Sequence, residues 1–202
     1  MDKHTVDAVV QALMGRLFVP LEASGRHVHV TEQQAQLLFG HGLTPERPLS
    51  QPGQYLAKER VTVIGPKGRF DNVAVLGPAR KEAQVEISLT DGKTLGISPP
   101  IRLSGDVEAT PAAVLEGACG RVELAGGVIV AQRHIHMTPE DAAQMGVRDK
   151  QNVKLQVFTR RPLIFEDVQV RVSKDFATAV HLDYDEANAC GFEKGDVGRI
   201  LP

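Results

Sequence analysis

The chain has 202 residues and a formal net charge of −2, room for one large or two small domains without the basic field that binds nucleic acid. No run of 18 apolar residues exists to span a membrane, and the N-terminus reads as no secretory signal. Cys119 and Cys190 are too few for a disulfide framework and fit a reducing cytosol as unpaired thiols, so any metal site must come from histidine and carboxylate.

Short Val-rich runs broken by 19 Gly and 12 Pro predict a mainly β fold of the barrel or sandwich kind. Residues 2–17 predict an amphipathic helix, with Val6, Val9, Val10, Leu13, Met14 and Leu17 on one stripe. Phe18–Glu22 reads as a strand. Residues 26–35, Arg-His-Val-His-Val-Thr-Glu-Gln-Gln-Ala, then place His27 and His29 on one face of a strand, where paired imidazoles can chelate a metal ion. A single such pair is more often ordinary core or surface histidine. Glu32–Phe39 should be helical, capped by Thr31 and stopped by Gly40. Residues 41–54 read as loop, Arg60–Ile64 and Phe70–Leu76 as strands.

Gln84-Val-Glu-Ile-Ser-Leu alternates strictly and predicts a half-buried strand ending in an Asp91-Gly92 turn. On its own, Glu86 reads as an ordinary solvated residue and Arg80 carries little signal. Leu95–Leu103 reads as extended, Ala112–Glu116 as a helical turn, and Arg121–Val130 as strands broken at Gly126-Gly127. Residues 133–142, Arg-His-Ile-His-Met-Thr-Pro-Glu-Asp-Ala, repeat the earlier phrase with Arg, both His, Thr and Ala in register. The repetition tips the balance toward two metal half-sites in an internally duplicated fold. Thr138 caps a helix over Pro139–Met145, with Pro139 at its first position and Asp141 placed for a capping box. Asn152–Phe158 and Asp167–Val172 are strands, and His181 precedes a helix over Asp185–Ala189. His4 and His41 lie outside every motif and read as surface residues. A short strand closes the chain.

Five imidazoles and a glutamate suffice for two zinc ions with open positions, and an arginine beside them would clamp an anion. The residues alone favour a metalloenzyme acting on an anionic substrate. A zinc-dependent thioester or phosphoester hydrolase and a non-catalytic metal-binding module stay open.

The phrases RHVHVT, LGPARKEAQVEIS, RHIHMTPEDA and HLDYDEANA, in this order, closely resemble the PduL-type phosphate acyltransferases across essentially the whole chain. The resemblance implies two helix-capped β-barrels, 26–132 and 12–25 plus 133–202, with a two-zinc site between them and residues 1–17 as an N-terminal helix. His27, His29 and Glu86 would bind one zinc, and His134, His136 and His181 the other. Arg80 would hold phosphate. The activity implied is interconversion of propanoyl-CoA or acetyl-CoA plus phosphate with acyl phosphate plus coenzyme A. The chain is further expected to form a homo-oligomer. It would reside in a bacterial microcompartment lumen, or otherwise the cytoplasm, in propanediol or ethanolamine degradation. Residues 2–17 have three possible partners: the chain's own barrel, a second copy, or microcompartment shell proteins.

Overall fold

A computed structural model describes residues 2, 5, 6, 10, 13 and 15–201. The chain divides into two compact units. One comprises Met1–Ser24, Arg133–Leu182 and Glu186–Pro202, and the other Gly25–Gln132 with Asp183–Asp185. The mainly β expectation holds.

The first of these is a closed six-stranded barrel built from β1 (Val19–Ser24), β11 (His134–Met137), β12 (Asn152–Phe158), β13 (Leu163–Val172), β14 (Ala179–Asp183) and β15 (Val197–Leu201). Closure comes from β1, which pairs antiparallel with β15 through Val19 and Gly198. Alternation sorts each strand into a core face and an outer face. Val153, Leu155 and Val157 point inward with Ile135, Met137, Val168, Val170, Val180 and Leu182. Each such side chain removed from water stabilises by roughly 1.5–3 kcal/mol. Helix Pro139–Met145 starts at Thr138, whose hydroxyl accepts from the Asp141 amide at 3.1 Å. The Asp141 carboxylate accepts from the Thr178 hydroxyl. Helix Tyr184–Cys190 follows β14 directly.

The second unit is a curled, nine-stranded mixed sheet that forms a half-barrel. Its strands are β2 (His27–His29), β3 (Pro45–Pro48), β4 (Tyr55–Ile64), β5 (Arg69–Gly77), β6 (Gln84–Glu86), β7 (Ile101–Arg102), β8 (Ala113–Glu116), β9 (Arg121–Leu124) and β10 (Val128–Ala131), in the spatial order 7-10-6-2-5-4-8-9 with β3 beside β4. Val28, Val61, Val63, Val73, Val75, Val85 and Leu115 fill its core. Helix Glu32–Phe39 lays Ala35, Leu38 and Phe39 over this core, and a reciprocal capping box between Thr31 and Gln34 begins it. Gly40, at φ 79°, ends it in the left-handed conformation that only glycine adopts freely.

Three local expectations change, the first being residues 41–54, read as loop, in which Pro45–Pro48 pair with β4 as β3. The strand over Gln84–Leu89 stops at Glu86, and a helix over Leu89–Leu95 replaces the Asp91-Gly92 turn. Ser88 and Asp91 form a capping box, which satisfies the orphan amides of a helix start. The helical turn over Ala112–Glu116 is instead β8, with Ala113 and Leu115 inward, because a four-residue apolar run fits either period. At the N-terminus, the described residues Thr5, Val6, Val10, Leu13 and Gly15–Leu17 are helical, and Val6, Val10, Leu13 and Leu17 are exposed. Val9, Met14 and His4 lie outside the described residues.

Candidate metal centre

Strands β2 and β6 run antiparallel with His27 opposite Glu86 and His29 opposite Gln84. Opposed residues in a ladder project to one face, so four polar side chains meet there. All four are buried. Nδ1 of His27 lies 2.8 Å from the Gly25 carbonyl oxygen, and Nδ1 of His29 lies 3.2 Å from that of Leu76. A proton on each Nδ1 donates to its carbonyl and leaves the Nε2 lone pairs free to coordinate. These Nε2 atoms are 3.5 and 3.9 Å from the Glu86 carboxylate. One ligand atom from each of the three residues lies within 4.8 Å of the others.

Electrostatics favour this donor set. Burial, with the charges of His27 and Arg80, lowers the His29 pKa to about 3, which keeps that imidazole neutral. Burial also disfavours charge on Glu86, but the facing histidines and the Ser104 hydroxyl outweigh it and hold the carboxyl well below its ordinary value. His27 is the exception: burial is outweighed by Glu86 and its pKa rises, so a bound metal ion would have to displace a proton there.

Arg80 reaches the same group. Its amide donates to the Val30 carbonyl at 2.9 Å, and its Nη1 donates to Ser104 Oγ at 3.1 Å. The Ser104 hydroxyl in turn donates to Glu86 Oε1 at 3.1 Å. The Gln84 amide donates to Glu86 and, at 2.8 Å, to Ser104, while its oxygen accepts from the Gly105 amide at 2.7 Å. Gln84 and Ser104 were not singled out in the sequence. Gln84 shares the polar face of Glu86 and was recoverable from alternation, whereas Ser104 gives no signal.

The second group sits on the barrel. Strands β11 and β14 run antiparallel with His134 opposite His181 and His136 opposite Ala179. His134, His136 and His181 again offer ligand atoms within 4.8 Å of one another. His134 stacks on His181 with ring centroids 5.0 Å apart, and His136 packs on Phe176 at 4.1 Å. His136 Nδ1 and His181 Nε2 lie 3.1 Å apart, close to the separation of about 3.3 Å expected for two nitrogens on one tetrahedral metal ion. Glu22 lies 3.7 Å from His181 Nδ1. All six predicted ligands thus fall into two groups of three, whose nitrogen and oxygen donors fit zinc.

His41 is exposed, as expected, 3.7 Å from Glu59. Cys190 is fully buried, and burial pushes its thiol up from its ordinary value.

The family model for phosphate propanoyltransferase matches residues 20–193. The chain belongs to the phosphate propanoyltransferase family. The resemblance read from its motifs is borne out, and it is an enzyme of the acyltransferase class. A family relative from Clostridioides difficile, named phosphate propanoyltransferase, is 54% identical over 97% of this chain and 95% of its own. One of the same name from Listeria monocytogenes is 52% identical over 100% and 97%. Another, from Enterococcus faecalis, is 56% identical over 90% and 87%.

Proposed function

We propose that the protein transfers an acyl group between coenzyme A and inorganic phosphate, with propanoyl-CoA as the favoured substrate and acetyl-CoA as an alternative. The observation that carries this reading is a buried three-ligand group with an arginine joined to it through one serine hydroxyl. His27, His29 and Glu86 would hold one zinc ion and His134, His136 and His181 a second. When bound, these ions supply Lewis acidity toward oxyanions and a thiolate.

Arg80 would bind phosphate through its planar fork of donors and orient one oxygen for attack. That oxygen attacks the thioester carbonyl carbon, the C–S bond breaks, and coenzyme A leaves as thiolate while acyl phosphate forms. Ser104 and Gln84 keep Glu86 ionised and fixed. No protein nucleophile is required, consistent with a buried, protonated Cys190. Exposed Val6, Val10, Leu13 and Leu17 leave residues 2–17 accessible to a protein partner; family membership supports microcompartment shell proteins in that role, and a homo-oligomer within that compartment is the proposed state. No helix among the described residues is long and apolar enough to cross a membrane.

The test is thiol release from propanoyl-CoA by zinc-loaded protein, with and without phosphate. Phosphate-dependent release with accumulation of propanoyl phosphate is expected. Equal release without phosphate, yielding free propanoate, would replace transfer with hydrolysis.

A further inference from the structure

Both repeated phrases begin with an arginine that the proposed chemistry does not use. Arg26 precedes His27, and Arg133 precedes His134. Arg26 grips Asp91 with two parallel bonds, Nε to Oδ2 at 3.0 Å and Nη2 to Oδ1 at 2.7 Å. Arg133 donates from Nη1 to Glu186 Oε1 at 2.7 Å and from Nε to the Glu166 carbonyl at 2.7 Å. Asp91 is the third residue of helix Leu89–Leu95, and Glu186 the third of helix Tyr184–Cys190. Each helix begins three residues after the third ligand of its group, Glu86 in one case and His181 in the other. Those ligands are the register partners of His27 and His134. The same arrangement therefore occurs twice, with arginine before the histidine pair and carboxylate five residues beyond the third ligand.

We infer that Arg26 and Arg133 are positioning residues, each tying the segment that bears the third ligand to the strand that bears the histidine pair. The inference rests on the reading of both groups as metal sites. The ladders alone are short, since β2 and β6 pair over only three residues, and short ladders open readily. Arg26 and Arg133 stand one residue before β2 and β11, so each tie acts at the entry end of its ladder. Both guanidiniums lie over aromatic rings, Arg26 over Phe70 at 4.1 Å and Arg133 over Phe165 at 5.7 Å. Asp91 is nearly buried, so its charge is poorly screened and its partner is held firmly. Partners that hydrogen-bond a ligand directly change metal affinity by about 10–100-fold, and a tie that fixes the ligand-bearing segment acts in the same direction.

The experiment measures zinc and cobalt affinity at each group separately. Arg26→Gln is made in a His134→Ala background, and Arg133→Gln in a His27→Ala background. Each is expected to weaken metal at its own group by about 10–100-fold and to alter the cobalt ligand-field spectrum of that group. In full-length protein, Arg26→Gln should weaken one ion while the other keeps its wild-type affinity, and Arg133→Gln should do the converse. Asp91→Asn should copy Arg26→Gln, and combining them should cost nothing further. Arg26→Lys, which keeps charge without the fork, should retain folding and lose part of the affinity. Unchanged affinity and spectra would overturn the inference. So would a loss at both groups together that tracks the melting temperature, because that is general destabilisation. Wild-type protein that binds neither zinc nor cobalt would instead overturn the metal reading itself.

Discussion

The two histidine groups share a scaffold and differ in charge. In the sheet the residue opposite the first histidine is Glu86, whereas in the barrel it is His181. Around Glu86 stand Gln84, Ser104 and Arg80, a connected polar network. Around His136 stand Phe176 and the stacked imidazoles. Register keeps geometry while the side chains set polarity. A dication on two imidazoles and a carboxylate keeps one net positive charge, and on three imidazoles it keeps two. The sheet group adds an arginine suited to a tetrahedral oxyanion. If it holds a metal ion as proposed, the barrel group, with more residual charge and an aromatic wall, would be the better acceptor for a soft thiolate. The difference points to division of labour between two copies of one design.

The largest effect should come from breaking either group. His134→Ala or Glu86→Gln should each remove about one of two zinc ions and lower turnover by roughly a thousandfold, since a Lewis acid supplies several kcal/mol. Metal analysis beside steady-state kinetics checks this. Full activity in rigorously metal-free protein would abolish the comparison altogether.

Next in size is Arg80→Ala, which should raise the phosphate requirement by about 10–100-fold, the worth of a charge-assisted contact. Lysine should rescue poorly, and zinc content should stay near two. If Arg80→Ala also releases zinc, the arginine serves the metal and the polar half has lost its distinguishing task. Ser104→Ala should be milder, about tenfold in rate, because Glu86 loses one donor of several. The equivalent loss of the Phe176 contact, Phe176→Leu, should affect coenzyme A release more than phosphate use, and product-inhibition kinetics separate the two. Cys190→Ala should leave turnover within about twofold while lowering the melting temperature through a small cavity. A large loss of turnover would point to an acyl-cysteine step.

Much of the group geometry was legible because a repeat of period two is hard to produce by chance. Once strands are granted, His27 with His29 and His134 with His136 must share faces. The helices at Glu32–Phe39 and Pro139–Met145 were legible from their caps, which are local chemistry. Glu86 was not. Gln84-Val-Glu-Ile alternates like a strand half in water, and its polar face is covered only by residues distant in sequence, the histidines of β2 and the Ser104 loop. The helix after it was hidden because Asp91-Gly92 imitates a hairpin turn, and Ser88 three residues earlier settles the matter only through its side chain. Asp91 reads as a turn residue and Glu186 gives no signal, because the arginine that each holds is distant in sequence.

The register that unites each group also governs when it can exist. His136 and His181 are 45 residues apart in the chain, and His27 and Glu86 are separated by more. Parallel pairing of β2 with β5 and of β11 with β13 adds further non-local closure. Such contacts form slowly, because the entropy of loop closure is lost before any burial offsets it. A nascent or unfolded chain offers a metal only isolated histidine pairs, which are weak two-point ligands. On the proposed metal reading, tight capture would be confined to the folded protein, and each ion would stabilise the native chain by an amount that grows with the logarithm of its affinity. If both groups hold zinc as proposed, zinc supply would set the lifetime of this enzyme as well as its turnover.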